Sequence, residues 1–188
     1  MRGGKWHVMI GSYTGEAIVF AVDSPDKLTL VTTLKLYENA VKGLVATDDR
    51  IFSVCANTTV SWHAISDFTF IRSIKNAHEK IANGCCLAGP GGFASIGRDR
   101  KLRIWIGDEE EVYQTPHPNS VKCICASDDH ATIMTGAYTG TLAGFDMATR
   151  SWRSFSRPTS SGISSLAFDS KHNQFLASSY DGQIYAVN

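Results

Sequence analysis

Two histidines and two aspartates stand where they could carry chemistry. His78 and His117 could act as general bases or metal ligands, and each stands shortly before a predicted strand. Asp99 and Asp181 lie in predicted turns, where an Asp side chain commonly bonds its own backbone. No Ser/His/Asp set in the sequence has the pattern of an activated nucleophile. We therefore predict structural roles for these side chains and assign no catalytic residue.

The cysteines are the second candidate for chemistry. They are Cys55, Cys85, Cys86, Cys123 and Cys125. Cys123 and Cys125 are two apart on one predicted strand and share its face, but zinc sites usually place paired cysteines in turns. An odd number without a framework spacing favours reduced, buried thiols. We predict no metal site and no cofactor, and we expect a cytoplasmic protein, with the nucleus as the alternative compartment.

Composition excludes several classes of protein. The chain has 188 residues, of which 43% are hydrophobic, so it can bury a core. Lys plus Arg and Asp plus Glu are 18 each, and this absence of a basic excess disfavours nucleic acid as a partner. No apolar run approaches the roughly 20 residues of a membrane-spanning helix, so no span is predicted. Gly89, Pro90, Gly91 and Gly92 lack the Lys-Ser/Thr partner of a phosphate-binding loop.

The elements that carry these residues repeat along the chain. A strand, a tight turn and a second strand recur five times, and the turn positions advance in steps of 40–43 residues. These positions are Thr14, Asn57, Asp99, Thr139 and Asp181. Each unit reads as four short strands rich in β-branched and aromatic residues, without a helical period. Four strands in about 40–45 residues are typical of a β-propeller blade.

The sequence resembles the WD-repeat family over essentially its whole length. That family's repeat has a His before the first strand, a Ser or Thr in the second, an Asp in the turn and a Trp in the third. The third unit has all four, as His78, Ser95, Asp99 and Trp105. The resemblance implies that they form a structural tetrad, a hydrogen-bonded chain from Trp to Ser to His to Asp.

The other units depart from the family's pattern. The second has Tyr37 in place of the His, and the fourth keeps His117 and Thr135 but has Thr139 where the Asp belongs. The periodicity still predicts the fold, because it does not depend on these residues.

The strand count predicts how much of a propeller is present. We predict an all-β fold of four-stranded antiparallel blades, with about four and a half blades in one region, 1–188. The approximate blade bounds are 5–36, 37–76, 77–117, 118–158 and 159–188. Three strands in the first blade, four in each of the next three and three in the last match the C-terminal part of a seven-bladed ring. Further blades would come from the same polypeptide or a second chain; the alternative is a complete five-bladed ring.

The function implied by the resemblance is a non-catalytic scaffold or adaptor that presents its top face to other proteins. The residue before each turn would open on that face, and Tyr and Arg are enriched at interface hot spots. The partner-binding residues assigned to the top face are Tyr13, Lys42, Arg98, Lys122, Tyr138 and Tyr180. The alternatives are a propeller-based enzyme, which would need histidines or carboxylates converging on the channel, and a phosphoinositide-binding propeller. Against the latter, Arg150, Arg153 and Arg157 are scattered.

Overall fold

Eighteen strands form five antiparallel sheets in the computed structural model, which describes residues 6–187. The first sheet contains β1 (His7–Gly11), β2 (Glu16–Ser24) and β3 (Lys27–Lys35). The second contains β4 (Val41–Ala46), β5 (Arg50–Cys55), β6 (Val60–Ala64) and β7 (Phe70–Ile74). The third contains β8 (Ala82–Leu87), β9 (Phe93–Gly97), β10 (Lys101–Ile106) and β11 (Glu109–Gln114). The fourth contains β12 (Val121–Ala126), β13 (Thr132–Ala137), β14 (Leu142–Asp146) and β15 (Ser151–Ser156). The fifth contains β16 (Ile163–Asp169), β17 (Gln174–Ser179) and β18 (Ile184–Val187).

The sheets are the blades of an all-β propeller, and their number corrects the prediction. About four and a half blades were predicted, but the structure has five. The first and last blades are antiparallel sheets of three strands each. The predicted opening at Lys5 and the predicted end at Asn188 lie outside the described residues. A seven-bladed ring stays a prediction.

The blades pack around their inner strands. Neighbouring inner strands β4, β8, β12 and β16 contact one another in order along the chain. In the second blade, the second strand β5 contacts the inner strand β8 of the next blade. In the first blade, β1 contacts β4 in the same way, so β1 occupies the position of a second strand.

The core lies between the blades. Phe52, Trp62, Phe93 and Trp105 are buried between the second and third blades, and the rings of Phe52 and Phe93 stack at 4.7 Å. A second cluster fills the space between the third and fourth blades and includes Leu102, Ile104, Ile133 and Phe145. The middle strands, such as β5, β9 and β13, are buried along almost their whole length, so both of their faces contribute to these layers.

Successive loops alternate between the two ends of the blades. We call the end that carries the loop between β1 and β2 the upper face. Its loops are 12–15, 36–40, 56–59, 75–81, 98–100, 115–120, 138–141, 157–162 and 180–183. We call the opposite end the lower face. Its loops are 25–26, 47–49, 65–69, 88–92, 107–108, 127–131, 147–150 and 170–173.

Candidate functional site

The third blade brings its four predicted tetrad residues into one hydrogen-bonded chain. Trp105 Nε1 donates to Ser95 Oγ at 3.0 Å, and Ser95 Oγ lies 2.9 Å from His78 Nε2. His78 Nδ1 lies 3.0 Å from Asp99 Oδ2. An indole N–H only donates and a carboxylate only accepts, so Nδ1 of His78 carries the proton directed at Asp99. This hydrogen-bonded chain ties the loop before the blade to strands β9 and β10 and to the turn between them.

The electrostatics of Asp99 fit a structural role. Burial alone would raise the pKa of this carboxyl, but hydrogen bonds from His78 and from the amides of Glu79 and Lys101 outweigh that effect and lower it. The side chains of His78 and Asp99 are fully buried. A buried, fully hydrogen-bonded pair of this kind is closed to a substrate.

The fourth blade builds a different set around its histidine. His117 Nε2 lies 2.9 Å from Thr135 Oγ1, and Nδ1 lies 2.7 Å from Thr141 Oγ1. Burial lowers the pKa of His117 to about 4, so the imidazole is neutral at physiological pH. Thr141 therefore takes the place of the turn carboxylate as partner of Nδ1, while Thr139 Oγ1 lies 3.1 Å from Thr141 Oγ1.

The second blade replaces the histidine by a phenol. The hydroxyl of Tyr37 lies 2.7 Å from both Ser53 Oγ and Ser61 Oγ, and it donates to the carbonyl oxygen of Ser53 at 2.9 Å. Burial raises the pKa of Tyr37 far above its usual value, so the phenol stays protonated. The contribution of Ser61 was not apparent in the sequence, because the family's repeat assigns no role to that position.

The cysteine thiols are placed for packing. All five are free, and Cys86 and Cys55 are buried. Burial raises the pKa of Cys123 to about 12, and it also raises the pKa of Cys85 and Cys86. A thiol with a raised pKa stays protonated at neutral pH and is a poor nucleophile and metal ligand. Within residues 6–187, no three His, Cys, Asp or Glu side chains form a set that could hold a metal ion.

The predicted partner-binding aromatics lie exposed in upper-face loops. Tyr13 is 83%, Tyr180 60% and Tyr138 37% exposed. Arg98 occupies the equivalent position in the third blade and is also exposed. Each Tyr stands two residues before a glycine of positive φ, and the +89° of Gly15 is one example. These tight turns fix the backbone under each ring, since glycine takes this conformation without steric cost.

Lys42 and Lys122 lie at the upper mouth of the central channel, at backbone irregularities. Each inner strand of the second to fifth blades has a β-bulge at its second residue. The four bulged residues are Lys42, Asn83, Lys122 and Ser164. A bulge adds an unpaired residue and re-aims its side chain. All four line one cavity of about 270 Å³ between the inner strands.

The late arginines are committed to contacts within the protein. Arg150 Nε lies 2.9 Å from Glu111 Oε2, Arg153 Nε lies 3.1 Å from Asp146 Oδ2, and Arg157 Nε donates to a backbone carbonyl. They do not converge on one site, so nothing in their placement favours an anionic lipid headgroup. In the described part of the chain, no helix has the length and apolarity that a membrane crossing needs.

Comparison with known proteins identifies the repeat. Residues 150–186 match the family model of the WD domain, G-beta repeat. The β-propeller domain of Cps50 (Swd1) from Myceliophteria thermophila superposes with a TM-score of 0.80 at 16% identity, over 96% of this chain and 61% of that chain. The computationally designed Ika8 protein gives 0.77 at 17% identity, over 96% of this chain and 55% of that chain. The chain thus spans less than two thirds of either structure. The superpositions confirm the predicted β-propeller fold, and the family-model match supports the WD-repeat resemblance over residues 150–186.

Proposed function

We propose that this WD-repeat β-propeller is a non-catalytic scaffold that binds partner proteins through its upper face. WD-repeat propellers are generally protein-interaction scaffolds. The observation that carries the proposal is the exposure of Tyr13, Tyr138 and Tyr180 at one structural position in three blades. Large aromatic side chains on rigid turns lose little conformational freedom on binding and are frequent hot spots.

The inner strands support binding rather than catalysis. Gly43, Gly84, Cys123 and Ser165 are among the residues that line the channel cavity, and none of its described lining residues carries a carboxylate or an imidazole. His78 and His117 are both engaged inside blades. A hydrolase or lyase on this fold would need such groups to converge on a substrate.

The proposal includes the completion of the ring by further blades, from the same polypeptide or from a second chain. The face of the first blade that points away from the second carries Val8, Ile10, Leu28 and Leu30, each at least 40% exposed. On the fifth blade, Ile184 is 72% exposed. Apolar sheet faces of this kind are normally covered. The unpaired thiols favour action in the cytoplasm or nucleus.

The test compares two triple variants on the full chain. R98A/Y138A/Y180A removes upper-face side chains, whereas D48A/D128A/K171A removes exposed lower-face side chains as a control. Tagged proteins capture partners from cell extract, and mass spectrometry quantifies each partner. We expect the first variant to lose partners that the wild type and the control retain, with a melting temperature close to that of the wild type. Equal capture by all three proteins would contradict the proposal.

A further inference from the structure

The two lysines at the channel mouth are positively charged groups without an ionic partner. Among the ion pairs of residues 6–187, none involves Lys42 or Lys122. Lys42 Nζ lies 5.3 Å from the ring centre of Tyr13, and Lys122 Nζ lies 5.6 Å from the ring centre of Tyr138. Both distances are in the range of a cation–π contact, which holds an ammonium group in place without neutralising its charge.

The cavity that these lysines line offers hydrogen-bond donors and no competing acid. Its polar lining includes Asn83, Ser164 and Ser165. Asn83 Nδ2 already donates to the carbonyl oxygen of Val121 at 2.7 Å, and Ser164 Oγ lies 2.8 Å from Ser178 Oγ, so the two ammonium groups are the main donors that face the cavity. Among the described residues that line it, Asp and Glu are absent. Donors and cations in one concave site suit a carboxylate, which accepts up to about four hydrogen bonds.

Although the total charge of the chain is zero, its acidic and basic residues are distributed unevenly between the two faces. The lower-face loops contain mostly acidic residues, namely Asp26, Asp48, Asp49, Asp67, Asp108, Asp128 and Asp129, against Arg150 and Lys171. The upper-face loops contain the basic residues Lys75, Lys80, Arg98, Arg100 and Arg157.

The acidic residues of the upper-face loops are largely engaged. Asp99 is buried against His78, Glu79 pairs with Lys101, and Glu38 lies 3.4 Å from Lys35. Asp181 accepts a hydrogen bond from Thr159 at 2.5 Å. Together with Lys42 and Lys122, the upper face carries seven basic residues against four acidic ones, whereas the lower-face loops carry two basic residues against seven acidic ones. An acidic segment is therefore repelled less at the upper face than at the lower face.

We infer that the channel mouth binds an acidic peptide segment of the partner protein, with Asp or Glu carboxylates against the ammonium groups of Lys42 and Lys122. This inference rests on the proposed function and adds the chemistry of the segment that the upper face recognises. Tyr13 and Tyr138 flank the same mouth and contact the carbon chain of the segment.

The experiment uses two double variants with the same net charge. K42Q/K122Q removes the two channel cations, and K27Q/K171Q removes two exposed lysines close to the lower face. The probe is a fluorescein-labelled peptide of alternating Glu and Ser, compared with the same peptide carrying Gln for Glu. Fluorescence anisotropy on the full chain at low and moderate salt gives Kd, and thermal melting monitors the fold.

We expect the Glu peptide to bind the wild type and K27Q/K171Q within about twofold of each other, and K42Q/K122Q at least about tenfold more weakly. The Gln peptide should bind all proteins weakly, and added salt should weaken the Glu peptide. Equal affinity for the Glu and Gln peptides, or an equal loss in both double variants, would overturn the inference. The inference would also be overturned if single-stranded DNA bound the wild type more tightly than the Glu peptide does and lost that affinity in K42Q/K122Q.

These outcomes separate the inference from the proposed function. If R98A/Y138A/Y180A loses its captured partners while the two lysines prove unimportant, the upper face is still the binding face and only the acidic class is wrong. If that variant keeps every partner, the upper-face proposal itself is wrong.

Discussion

At the scale of single residues, three blades pair the polar groups at equivalent buried positions with different side chains. The third blade uses the His78–Asp99 pair, the fourth uses His117 with two threonines, and the second uses the phenol of Tyr37. In each case, a buried donor meets an acceptor, and leaving either unpaired would cost about 1–3 kcal/mol. The repeats diverge in sequence because the requirement is for satisfied hydrogen bonds rather than for one residue type.

Replacing Trp105 by Ala tests the tetrad of the third blade. The indole is 2% exposed, packs edge-on to Trp62 at 5.7 Å and donates to Ser95. We expect the free energy of unfolding to fall by about 3–5 kcal/mol in denaturant titration, as for other buried aromatics. W6A, at a 69% exposed position, is the control. A loss below about 1 kcal/mol in W105A would show that the indole is not part of the core.

The burial of His117 makes the free energy of unfolding depend on pH. Its pKa is about 4 in the folded chain against 6.5 for an unperturbed histidine, because the ring is buried. Between these values, the unfolded chain binds a proton that the folded chain does not, so the free energy of unfolding decreases as pH falls from 6.5 towards 4. We expect this group to contribute about 1–3 kcal/mol to that decrease.

The comparison of H117Q with the wild type isolates this effect. H117Q lacks the buried imidazole, so its free energy of unfolding should depend less steeply on pH between 6.5 and 4. Identical slopes in denaturant titrations of H117Q and wild type would contradict the assignment.

At the scale of elements, most strands and turns of the blades could be predicted from the sequence. Turn residues recurring at Thr14, Asn57, Asp99, Thr139 and Asp181 predicted the hairpins of all five blades, because tight turns restrict which residues they accept. The bulges were not predicted, since a single unpaired residue leaves the alternation on both sides looking like an ordinary strand. For the same reason, the placement of Lys42 and Lys122 at the channel mouth needed the structure.

The close approach of neighbouring inner strands gives a prediction at this scale. A Cβ added to Gly43 would lie 2.9 Å from the backbone nitrogen of Cys85 in the next blade. A Cβ added to Gly84 would lie no closer than 3.4 Å to Ile124, an ordinary contact. We expect G43A to destabilise the chain by about 1–3 kcal/mol and G84A to be nearly neutral, because only the first forces backbone to move. Equal melting temperatures for the two variants would show that the inner strands are less tightly packed.

At the scale of the whole molecule, the two outermost blades decide how the chain behaves in solution. Val8, Phe20 and Leu30 stand opposite one another across the first sheet, on the face that points away from the second blade. The number of blades in the finished ring could not be read from the sequence, because each blade contacts only its neighbours and carries no information on the total.

The isolated chain should therefore self-associate. We expect sedimentation equilibrium to give an average mass that rises above 20.5 kDa with concentration, since exposed apolar sheet faces pair with one another. Replacing Ile10 and Leu30 by Lys should lower that association without unfolding the chain. A monomer of 20.5 kDa at every concentration would favour a closed five-bladed ring.

The binding face is tested most directly by amide hydrogen exchange on the chain with and without a captured partner. Binding through the upper face predicts slower exchange in loops 98–100, 138–141 and 180–183 when the partner is present. Loops 47–49, 127–131 and 170–173 on the lower face serve as the internal reference and should be unchanged. Protection confined to the lower-face loops, or no difference between the two faces, would contradict the account.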